Sequence, residues 1–505
     1  MKFLFTVCCL ISLSAFADDR PNIVLIMADD MGRETVGAHG ALDYKTPVLD
    51  KMAGEGMKFN HCYSLPLCTP SRVKIMTGKY SFRNYEGFGG LPQGEKTFGH
   101  ALQKAGYETC VVGKWQLGGK HEQILGFGWD EYCLCNGVTP KDPKAKPLRQ
   151  GKERYWYNSK IIANGKYYET DEIYGPDMVN EYACDFIKRQ KDKPFFLYYP
   201  MILPHSPWAP TPLSESGDKS GKKICEVRYF KDNIEYIDHL VGNVLKALEE
   251  SGQRENTVVM FTGDNGTGYA AYCNDSSTET KRFYSVNGDK HEELIAEAGE
   301  KSPKLKNTKP GKGEYMEGPV TRTSYGDVPG RKDTMLRDGT GVPMIVDWPK
   351  YREQYNEQGH SWDDLIDFSD FFATITELAD TKVAYPVDGI SFAPRLRGEG
   401  KNDRQFVFCH YWDFGRRAEG ARDSIHDQRW KIYNDGSFFD MKNDPDEKQA
   451  LKVEDLNEQG IMARGRLMAS YHELRAMTLP VAKVSDFKKP PVVKKKKKSN
   501  KKKQK

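Results

Sequence analysis

The sequence contains no long hydrophobic run beyond its first seventeen residues. A helix needs about 18 consecutive apolar residues to cross a bilayer, so we expect no transmembrane segment in the mature chain. Aromatic residues are not scarce, at 12% of the 505 residues, and this excludes wholesale disorder. The length predicts two to four domains, or one large α/β domain with an appendage.

Acidic residues are absent from residues 488–505, which contain eleven lysines. The formal net charge of +4 includes these lysines and Lys2, and without them residues 18–487 carry a charge of −8. A nucleic-acid enzyme more often carries positive charge on its folded surface, so we expect no nucleic-acid partner. The lysine tail is typical of a solvated, disordered end; electrostatic tethering to anionic glycans or to a cell surface is the alternative.

Residues 1–17 have the pattern of a secretory signal peptide. Lys2 precedes an apolar run that ends in a small-x-small sequence at Ala17, so we expect cleavage there and a periplasmic or secreted protein. Nine of the eleven cysteines remain after cleavage, and in an oxidising compartment this odd number predicts one free or chemically special cysteine. Cys133 and Cys135 are interpreted as parts of disulfides, because no second Cys/His pair lies nearby to complete a metal site.

Apolar, β-branched segments alternate with segments of helical periodicity up to about residue 398. This alternation predicts an α/β fold with a large, mostly parallel sheet sandwiched by helices. Shorter strand-like segments and a helix at 457–475 then indicate a smaller C-terminal α+β domain with an antiparallel sheet. The predicted units are a signal peptide (1–17), a catalytic domain (18–399), a small sheet domain (400–487) and a disordered tail (488–505). The predicted strands of the large sheet are residues 22–28, 109–112, 195–199, 257–262 and 343–346.

Polar side chains follow four of the predicted strands. Ligands of open α/β sheets bind at the carboxyl ends of the strands, so these residues predict one active site at a single edge. Four of them offer hard oxygen atoms, which suit Ca²⁺ or Mg²⁺ and not Zn²⁺. The residues after the four strands are Asp29 and Asp30, Lys114, His205, and Asp264 with Asn265.

Residues 68–72 read Cys-Thr-Pro-Ser-Arg. Pro70 favours the start of a helix, which places Cys68 near a helix N-terminus, where backbone N–H groups favour an anion. Arg72 lies one turn further on and can return to the same place. An isolated Cys-x-Pro is more often a buried cysteine in a proline turn, and that interpretation stays open for these residues taken alone.

The combination of this motif with a strand that ends in Asp-Asp, with Gly-Lys-Trp at 113–115 and with Asp-Asn-Gly at 264–266 resembles the type I sulfatases of the alkaline-phosphatase superfamily. The resemblance covers about residues 21–398, and residues 440–447 also resemble the usual ending of that family's small last domain. It implies an alkaline-phosphatase-like fold and hydrolysis of sulfate esters. Since exported bacterial members commonly desulfate polysaccharides, it also implies a sulfated carbohydrate substrate.

In this family a separate maturation enzyme oxidises the motif cysteine to formylglycine. The resemblance implies that Cys68 is converted in this way, which makes it the odd cysteine and leaves eight that can pair. One hydroxyl of the formylglycine hydrate attacks sulfur, and the second then allows sulfate to leave as the aldehyde re-forms. A plain serine would stay sulfated.

The resemblance also assigns the remaining site residues. Arg72 corresponds to the arginine that holds the formylglycine, and His205 to the histidine near the leaving oxygen. Lys114 and Lys332 correspond to the two lysines that contact the sulfate; Lys332 is identified by its spacing, ten residues before Val342-Pro343. The implied ligands of one Ca²⁺ ion are Asp29, Asp30, Asp264 and Asn265, with residue 68 as a further ligand.

Two positions depart from the family pattern. Gln116 stands where the family often has a histidine thought to assist the release of sulfate, and a glutamine cannot act as a base near neutral pH. We expect Asp264 or another base to do this, or turnover to be slow. Arg337 and Gly341 replace a usual Glu and Arg, so a structural ion pair there is expected to be lost or replaced.

Two other functions stay open. A phosphatase or phosphodiesterase of the same superfamily usually has a Ser or Thr nucleophile and a two-zinc site with histidines, and this sequence has neither pattern. A non-catalytic protein that binds sulfated glycans is the other alternative. It would keep the metal site, Lys114 and His205 while Cys68 stays unmodified, and Gln116 favours it.

Overall fold

The structure is a computed structural model. It describes residues 19–135, 156–157, 159–169, 173–215, 227–268, 319–383, 385–400, 402–412 and 421–477. The predicted signal peptide and the lysine tail lie outside these ranges.

Seventeen strands are present in the described residues, and eleven of them form one large sheet in the order β11-β2-β12-β8-β1-β7-β3-β4-β5-β6, with β13 paired to β2. Strands β9 and β10 form a hairpin, and β14 to β17 form a separate sheet. The strands are β1 Asn22–Ala28, β2 Met57–Tyr63, β3 Glu108–Lys114, β4 Glu131–Cys135, β5 Lys160–Ala163, β6 Lys166–Glu169, β7 Phe195–Pro200, β8 Thr257–Gly263, β9 Val320–Thr323, β10 Gly326–Pro329, β11 Gly341–Val342, β12 Met344–Asp347, β13 Ser361–Asp367, β14 Val407–Tyr411, β15 Arg422–His426, β16 Trp430–Tyr433 and β17 Phe438–Asp440.

Helices connect and cover these strands. The α-helices are α1 Pro47–Glu55, α2 Cys68–Thr77, α3 Ser81–Asn84, α4 Phe98–Lys104, α5 His121–Leu125, α6 Gly175–Arg189, α7 Tyr229–Glu250, α8 Arg337–Thr340, α9 Arg352–Gln358, α10 Asp370–Leu378, α11 Ala393–Leu396 and α12 Glu458–Ala476. Short 3-10 helices occupy Arg33–Thr35, Gly37–His39, Pro349–Tyr351 and Val453–Asp455.

The large sheet is covered on both faces. Alternate side chains of β1 belong to two different hydrophobic clusters: Ile23 and Leu25 pack into one, Val24 and Ile26 into the other. The first cluster contains residues of α2, α4 and α10, and the second contains residues of α1, α6 and α7. Because both faces are buried, β1, β7 and β8 consist almost wholly of apolar residues, and this is why they were predicted from the sequence.

The predicted fold class is confirmed. Strands β8, β1, β7, β3 and β4 are neighbours and run parallel, whereas β12 pairs antiparallel with β8 and β5 with β4. The sheet therefore has a parallel centre with antiparallel strands on both sides. The smaller C-terminal sheet is antiparallel and packs against α12 through Ile432, Leu467 and other apolar residues.

The prediction that cysteines other than Cys68 pair in disulfides is wrong for the described residues. Cys133 and Cys135 are free thiols two positions apart on β4, and side chains so placed in a strand run side by side without converging. The free cysteines are Cys62, Cys68, Cys110, Cys133, Cys135, Cys184 and Cys409. No helix of the described part of the chain is both long and apolar enough to cross a membrane.

Candidate active site

The polar residues predicted to share one edge of the sheet do lie together. Their strands are consecutive neighbours in the order β8-β1-β7-β3, and all four run in the same direction. The register pairs Ala28 with Gly263 and Met27 with Pro200, so β1, β7 and β8 end at the same level. Parallel neighbours place the residues after their carboxyl ends side by side.

Asp29 and Asp30 extend directly from β1 and are buried. Asp30 has a left-handed backbone, with a φ of 64°, and ligand atoms of Asp29, Asp30 and His205 lie within 4.8 Å of one another. Its backbone N–H donates to Asp264 Oδ1 at 3.0 Å, and Lys332 Nζ donates to its Oδ2 at 2.7 Å. Burial alone would raise the pKa of Asp30, but the charge of Lys332 opposes burial and holds the pKa well below its usual range.

Asp264 and Asn265 follow β8 and face the two aspartates. Arg72 Nη2 donates to Asp264 Oδ2 at 2.8 Å, and Asn265 Nδ2 donates to Asp30 Oδ1 at 2.8 Å. Burial, followed by the nearby charge of Asp29, raises the pKa of Asp264 to about 7, although Arg72 opposes the shift.

Cys68 is the first residue of α2, as the proline at position 70 predicted, and it is only 2% exposed. Ser71 Oγ accepts from the Leu65 backbone N–H and so fixes the turn before Cys68. Thr69 Oγ1 accepts from the Gly89 N–H at 3.2 Å, which ties the helix start to a later loop. Burial raises the pKa of the Cys68 thiol, and Lys114 and Lys332 partly offset this. The thiol therefore sits protonated in a site lined by cations.

Arg72 and Lys114 meet in the site from two different elements. Arg72 Nη1 donates to the backbone carbonyl of Lys114 at 3.0 Å, which ties α2 to the end of β3. Lys114 Nζ donates to Asp29 Oδ2 at 2.5 Å. Burial disfavours the charged ammonium, but Asp29 and then Cys68 outweigh burial and raise the pKa of Lys114. Both cations remain charged at any physiological pH.

His205 follows β7, and its imidazole lies over Asp30, with Nε2 3.7 Å from Asp30 Oδ2. Nδ1 lies 2.6 Å from the backbone carbonyl of Ser206, which can only accept, so Nδ1 carries a proton. Burial lowers the pKa of His205 to about 3; Asp30 counteracts this and the nearby lysines add to it. The imidazole is therefore neutral, and its Nε2 offers a lone pair to the site.

Lys332 completes the cationic side of the site. The next residue, Asp333, has a φ of 69°, and its carboxylate accepts a hydrogen bond from the hydroxyl of Tyr411 at the end of β14. The C-terminal sheet thus reaches the loop that carries Lys332.

The ion pair expected to be lost at positions 337 and 341 is partly replaced, since Arg337 Nε lies 3.0 Å from Asp338 Oδ1.

Gln116 lies two residues beyond Lys114 on a left-handed backbone, with a φ of 53°. Its Oε1 is buried and has no hydrogen-bond partner in the described residues. A buried amide oxygen without a partner is costly, so an additional donor is expected at this position when the site is filled.

The donor set fits one hard cation. Ligand atoms of Asp29, Cys68 and Asp264 all lie within 4.8 Å of one another. Asp29 Oδ1 and Asn265 Oδ1 are buried without hydrogen-bond partners, although buried oxygens are normally satisfied. Four side chains with buried oxygen atoms, two of which lack partners, form the environment that Ca²⁺ prefers.

Family models match almost all of the described chain. The model described as Sulfatase matches residues 21–381, and the model described as N-sulphoglucosamine sulphohydrolase, C-terminal, matches residues 331–471. The chain belongs to the sulfatase family.

Curated relatives of this sulfatase-family chain carry sulfatase names. It is 35% identical to the N-acetylgalactosamine-6-sulfatase of Mus musculus over 295 residues, which are 53% of this chain and 54% of the relative. The chain thus spans about half the length of that relative. It is 25% identical to the N-acetylglucosamine-6-O-sulfatase of Bacteroides thetaiotaomicron over 485 residues, which are 85% of this chain and 82% of the relative.

Solved structures share the fold. One, solved in complex with D-glucosamine-2-N,6-O-disulfate, has a TM-score of 0.63 at 19% identity and covers 90% of this chain and 97% of its own. Another, in complex with a neocarrahexaose, has a TM-score of 0.62 at 21% identity and covers 90% of this chain and 92% of its own.

One buried carboxylic acid next to the site was missed in the sequence analysis. Thr267 Oγ1 donates to Glu34, and Gly32 N–H donates to Thr267 Oγ1 at 3.1 Å, so the three residues join the loop after β1 to the loop after β8. Burial raises the pKa of Glu34 to about 7. Its position four residues after Asp30 was the available signal, but a glutamate in a Gly-Arg-Glu-Thr sequence ordinarily faces solvent.

Proposed function

We propose that this chain hydrolyses sulfate esters of a sulfated carbohydrate, with a formylglycine derived from Cys68 as nucleophile and one bound Ca²⁺ ion. One observation carries the proposal. In a chain of the sulfatase family, Cys68 lies at the start of a helix within 4.8 Å of ligand atoms of Asp29 and Asp264, in a site lined by lysines. The thiol itself is buried and protonated and is therefore a poor nucleophile, so the proposed reaction depends on its conversion to formylglycine.

The Ca²⁺ ion would be held by Asp29, Asp30, Asp264 and Asn265, with residue 68 as a further ligand. When bound, it supplies positive charge to the sulfuryl oxygens as charge moves to the leaving group. Its charge would also oppose burial and the nearby charge of Asp29, which together raise the pKa of Asp264.

Lys114 and Lys332 hold the sulfate from two sides. In the described structure each is paired with an aspartate, Asp29 and Asp30 respectively, so both ammonium groups are already in place and desolvated. Charged donors fixed before the substrate arrives need no reorganisation during the reaction, which is what makes them effective. Arg72, on the same helix as residue 68, is fixed by its contacts with Asp264 and the Lys114 carbonyl, and its role in the proposal is to orient residue 68.

His205 is the proton donor to the leaving oxygen in this proposal. In the described structure it is neutral, with the proton on Nδ1 held by the Ser206 carbonyl. A bound anionic sulfate adds negative charge beside the ring and raises its pKa, so that Nε2 takes up a proton together with the substrate. His205 then donates this proton to the departing alcohol.

The substrate class is inferred from the relatives. Two of them are named for the 6-sulfate of N-acetylgalactosamine or of N-acetylglucosamine, so 6-O-sulfated N-acetylhexosamines come first among the sulfated sugars to be tested. We further propose that residues 18–399 form the catalytic unit and that the chain is exported.

A non-catalytic sulfated-glycan binder is the second candidate. The buried Oε1 of Gln116, at the position of the family's histidine, favours it, because an amide cannot take a proton during the release of sulfate.

One experiment separates the two candidates. The full chain is produced together with a formylglycine-generating maturation enzyme, the peptide containing residue 68 is weighed by mass spectrometry, and sulfate release is measured from 6-O-sulfated N-acetylglucosamine and N-acetylgalactosamine. Formylglycine with sulfate release supports the hydrolase, provided that Cys68→Ala protein is folded and inactive. An unmodified Cys68, when the maturation enzyme modifies a control peptide, favours the binder.

A further inference from the structure

The end of β14 contacts the loop that carries Lys332. Tyr411, its last residue, donates a hydrogen bond to Asp333, which directly follows Lys332. The next residue, Trp412, is partly exposed, and its ring centroid lies 4.7 Å from that of Tyr85. The C-terminal sheet therefore places an aromatic side chain next to a residue of the large domain.

Tyr85 belongs to a segment that runs between two parts of the site. Gly89 N–H donates to Thr69 beside Cys68, and Leu91 N–H donates to the Leu117 carbonyl, three residues after Lys114. Tyr85 is largely buried, at 9% exposed, and Trp412 packs against the cluster to which it belongs. Within the same segment, Phe88 is 37% exposed.

Trp412 is held rigidly. Its ring meets the His410 ring edge-on at 5.4 Å, and His410 Nδ1 lies 2.5 Å from Asp423 Oδ1. Tyr471 of α12 donates to the other oxygen of Asp423 at 3.0 Å. An aromatic surface fixed in this way costs little entropy when it binds a ligand.

We propose that Tyr85 and Trp412 form an aromatic wall that binds the pyranose ring carrying the sulfate ester. The inference rests on the proposed function and adds the residues that recognise the sugar. With the sulfate held by the two lysines, the sugar ring lies beside the loop of Lys332, which Tyr411 ties to the end of β14, to Trp412 and so to Tyr85. The C–H face of a pyranose is apolar, and an aromatic ring buries it while the hydroxyls stay solvated.

Binding measurements by calorimetry test the wall without turnover. The Cys68→Ala chain, with and without a second substitution, is titrated with 6-O-sulfated N-acetylglucosamine and, separately, with inorganic sulfate. Trp412→Ala should weaken sugar binding by about 10-fold or more and change sulfate binding by less than about 2-fold. Trp412→Phe, which keeps a ring, should retain most of the affinity. Trp362→Ala removes a partly buried tryptophan of β13 and serves as the matched control.

The outcomes are distinguishable. If Trp412→Ala binds the sulfated sugar as tightly as the parent, the wall is overturned while the proposed function stands. If Trp412→Ala weakens sugar and sulfate equally, the residue acts only on the fold, and the wall is again overturned. If the parent binds neither probe, the proposed function fails and the wall with it. In the matured chain, the same change should raise KM for the sugar more than it lowers kcat.

Discussion

Asp30 Oδ2 accepts a hydrogen bond at 2.7 Å from the Nζ of Lys332, a residue 302 positions further along the chain. Both side chains are almost fully buried. The pair is thus a long-range contact at the centre of the site, and it holds the ammonium group of Lys332 in place beside a residue that would bind the metal ion.

Replacing Lys332 should destabilise the metal-free protein more than the metal-bound one. Lys332→Met leaves Asp30 charged and buried without its main partner, a change that typically costs about 3–5 kcal/mol. A bound Ca²⁺ would supply the missing positive charge. Thermal unfolding with EGTA and with calcium measures both states, and an equal loss of Tm in the two conditions would contradict the role given to Asp30.

Calcium should raise the Tm of the protein through Asp264. Binding to the folded state alone stabilises it by about 2.7 kcal/mol at a ligand concentration of 100 Kd. Asp264→Asn should remove most of this shift. Asp347→Asn is the matched control, because Asp347 is a buried aspartate paired with Arg254 and Arg352 at the opposite end of the sheet. A calcium shift that survives in Asp264→Asn would mean that the ion binds elsewhere.

Much of the site was predictable because its residues follow strands that are apolar throughout. Asn22–Ala28 and Thr257–Gly263 are buried on both faces, so their sequences identify them and the polar residues after them. Strands β2 and β13 were missed because their polar and apolar residues are mixed, as in Met-Lys-Phe-Asn-His-Cys-Tyr, and only their pairing in the sheet defines them.

The contacts that the C-terminal sheet makes with the large domain could not be predicted from the sequence. Tyr411 meets Asp333 across 78 residues, and Trp412 meets Tyr85 across more than 300. No local sequence pattern indicates where one domain packs against another. The same holds for Glu34, whose burial depends on Thr267 in a loop 233 residues away.

The stability of Glu34→Gln relative to wild type should increase as the pH rises. The Glu34 pKa is about 7 in the folded chain against 4.5 as an ordinary value, so the folded state keeps a proton that the unfolded chain loses. The stability that this proton contributes is complete below about pH 4.5 and is lost as the pH rises through about 7. Glutamine does not ionise and avoids this loss.

Urea unfolding at pH 5 and pH 8 measures the effect. The free energy of unfolding of Glu34→Gln relative to wild type should increase by about 1–3 kcal/mol between the two pH values. Glu255→Gln, at an exposed glutamate, should stay within about 0.5 kcal/mol of wild type at both. A constant difference for Glu34→Gln would show that Glu34 is ionised in the folded protein at pH 5.

Lys74 should be a major determinant of stability. Its Nζ donates to Asp367 Oδ2 at 2.8 Å and to the Phe408 carbonyl at 2.9 Å, with both charged side chains fully buried. Lys74→Met should cost about 3–5 kcal/mol, and the double variant with Asp367→Asn less than the sum of the two single changes. Lys51→Met, which breaks an exposed pair with Glu55, should cost less than about 1 kcal/mol.

Gln116→His should speed turnover if release of sulfate is slow. A histidine at this left-handed position, where histidine is tolerated, supplies the base that glutamine lacks. We expect kcat on a 6-O-sulfated N-acetylhexosamine to rise by about 10-fold. A new dependence on pH near 6.5 should appear with it, whereas Gln116→Ala should show neither effect. A kcat equal to that of wild type would place the base elsewhere, with Asp264 as the next residue to test.

The burial of α2 determines when during synthesis Cys68 is accessible. Every residue of this helix is buried, and Lys74, on the same helix as Cys68, contacts Asp367 and Phe408. Those two partners emerge from the ribosome some 300 residues after the helix, so the cysteine stays reachable while the rest of the chain is being made. In the proposed function, an enzyme that converts Cys68 would therefore need to reach it before these contacts form, and a chain that folds first would keep its thiol.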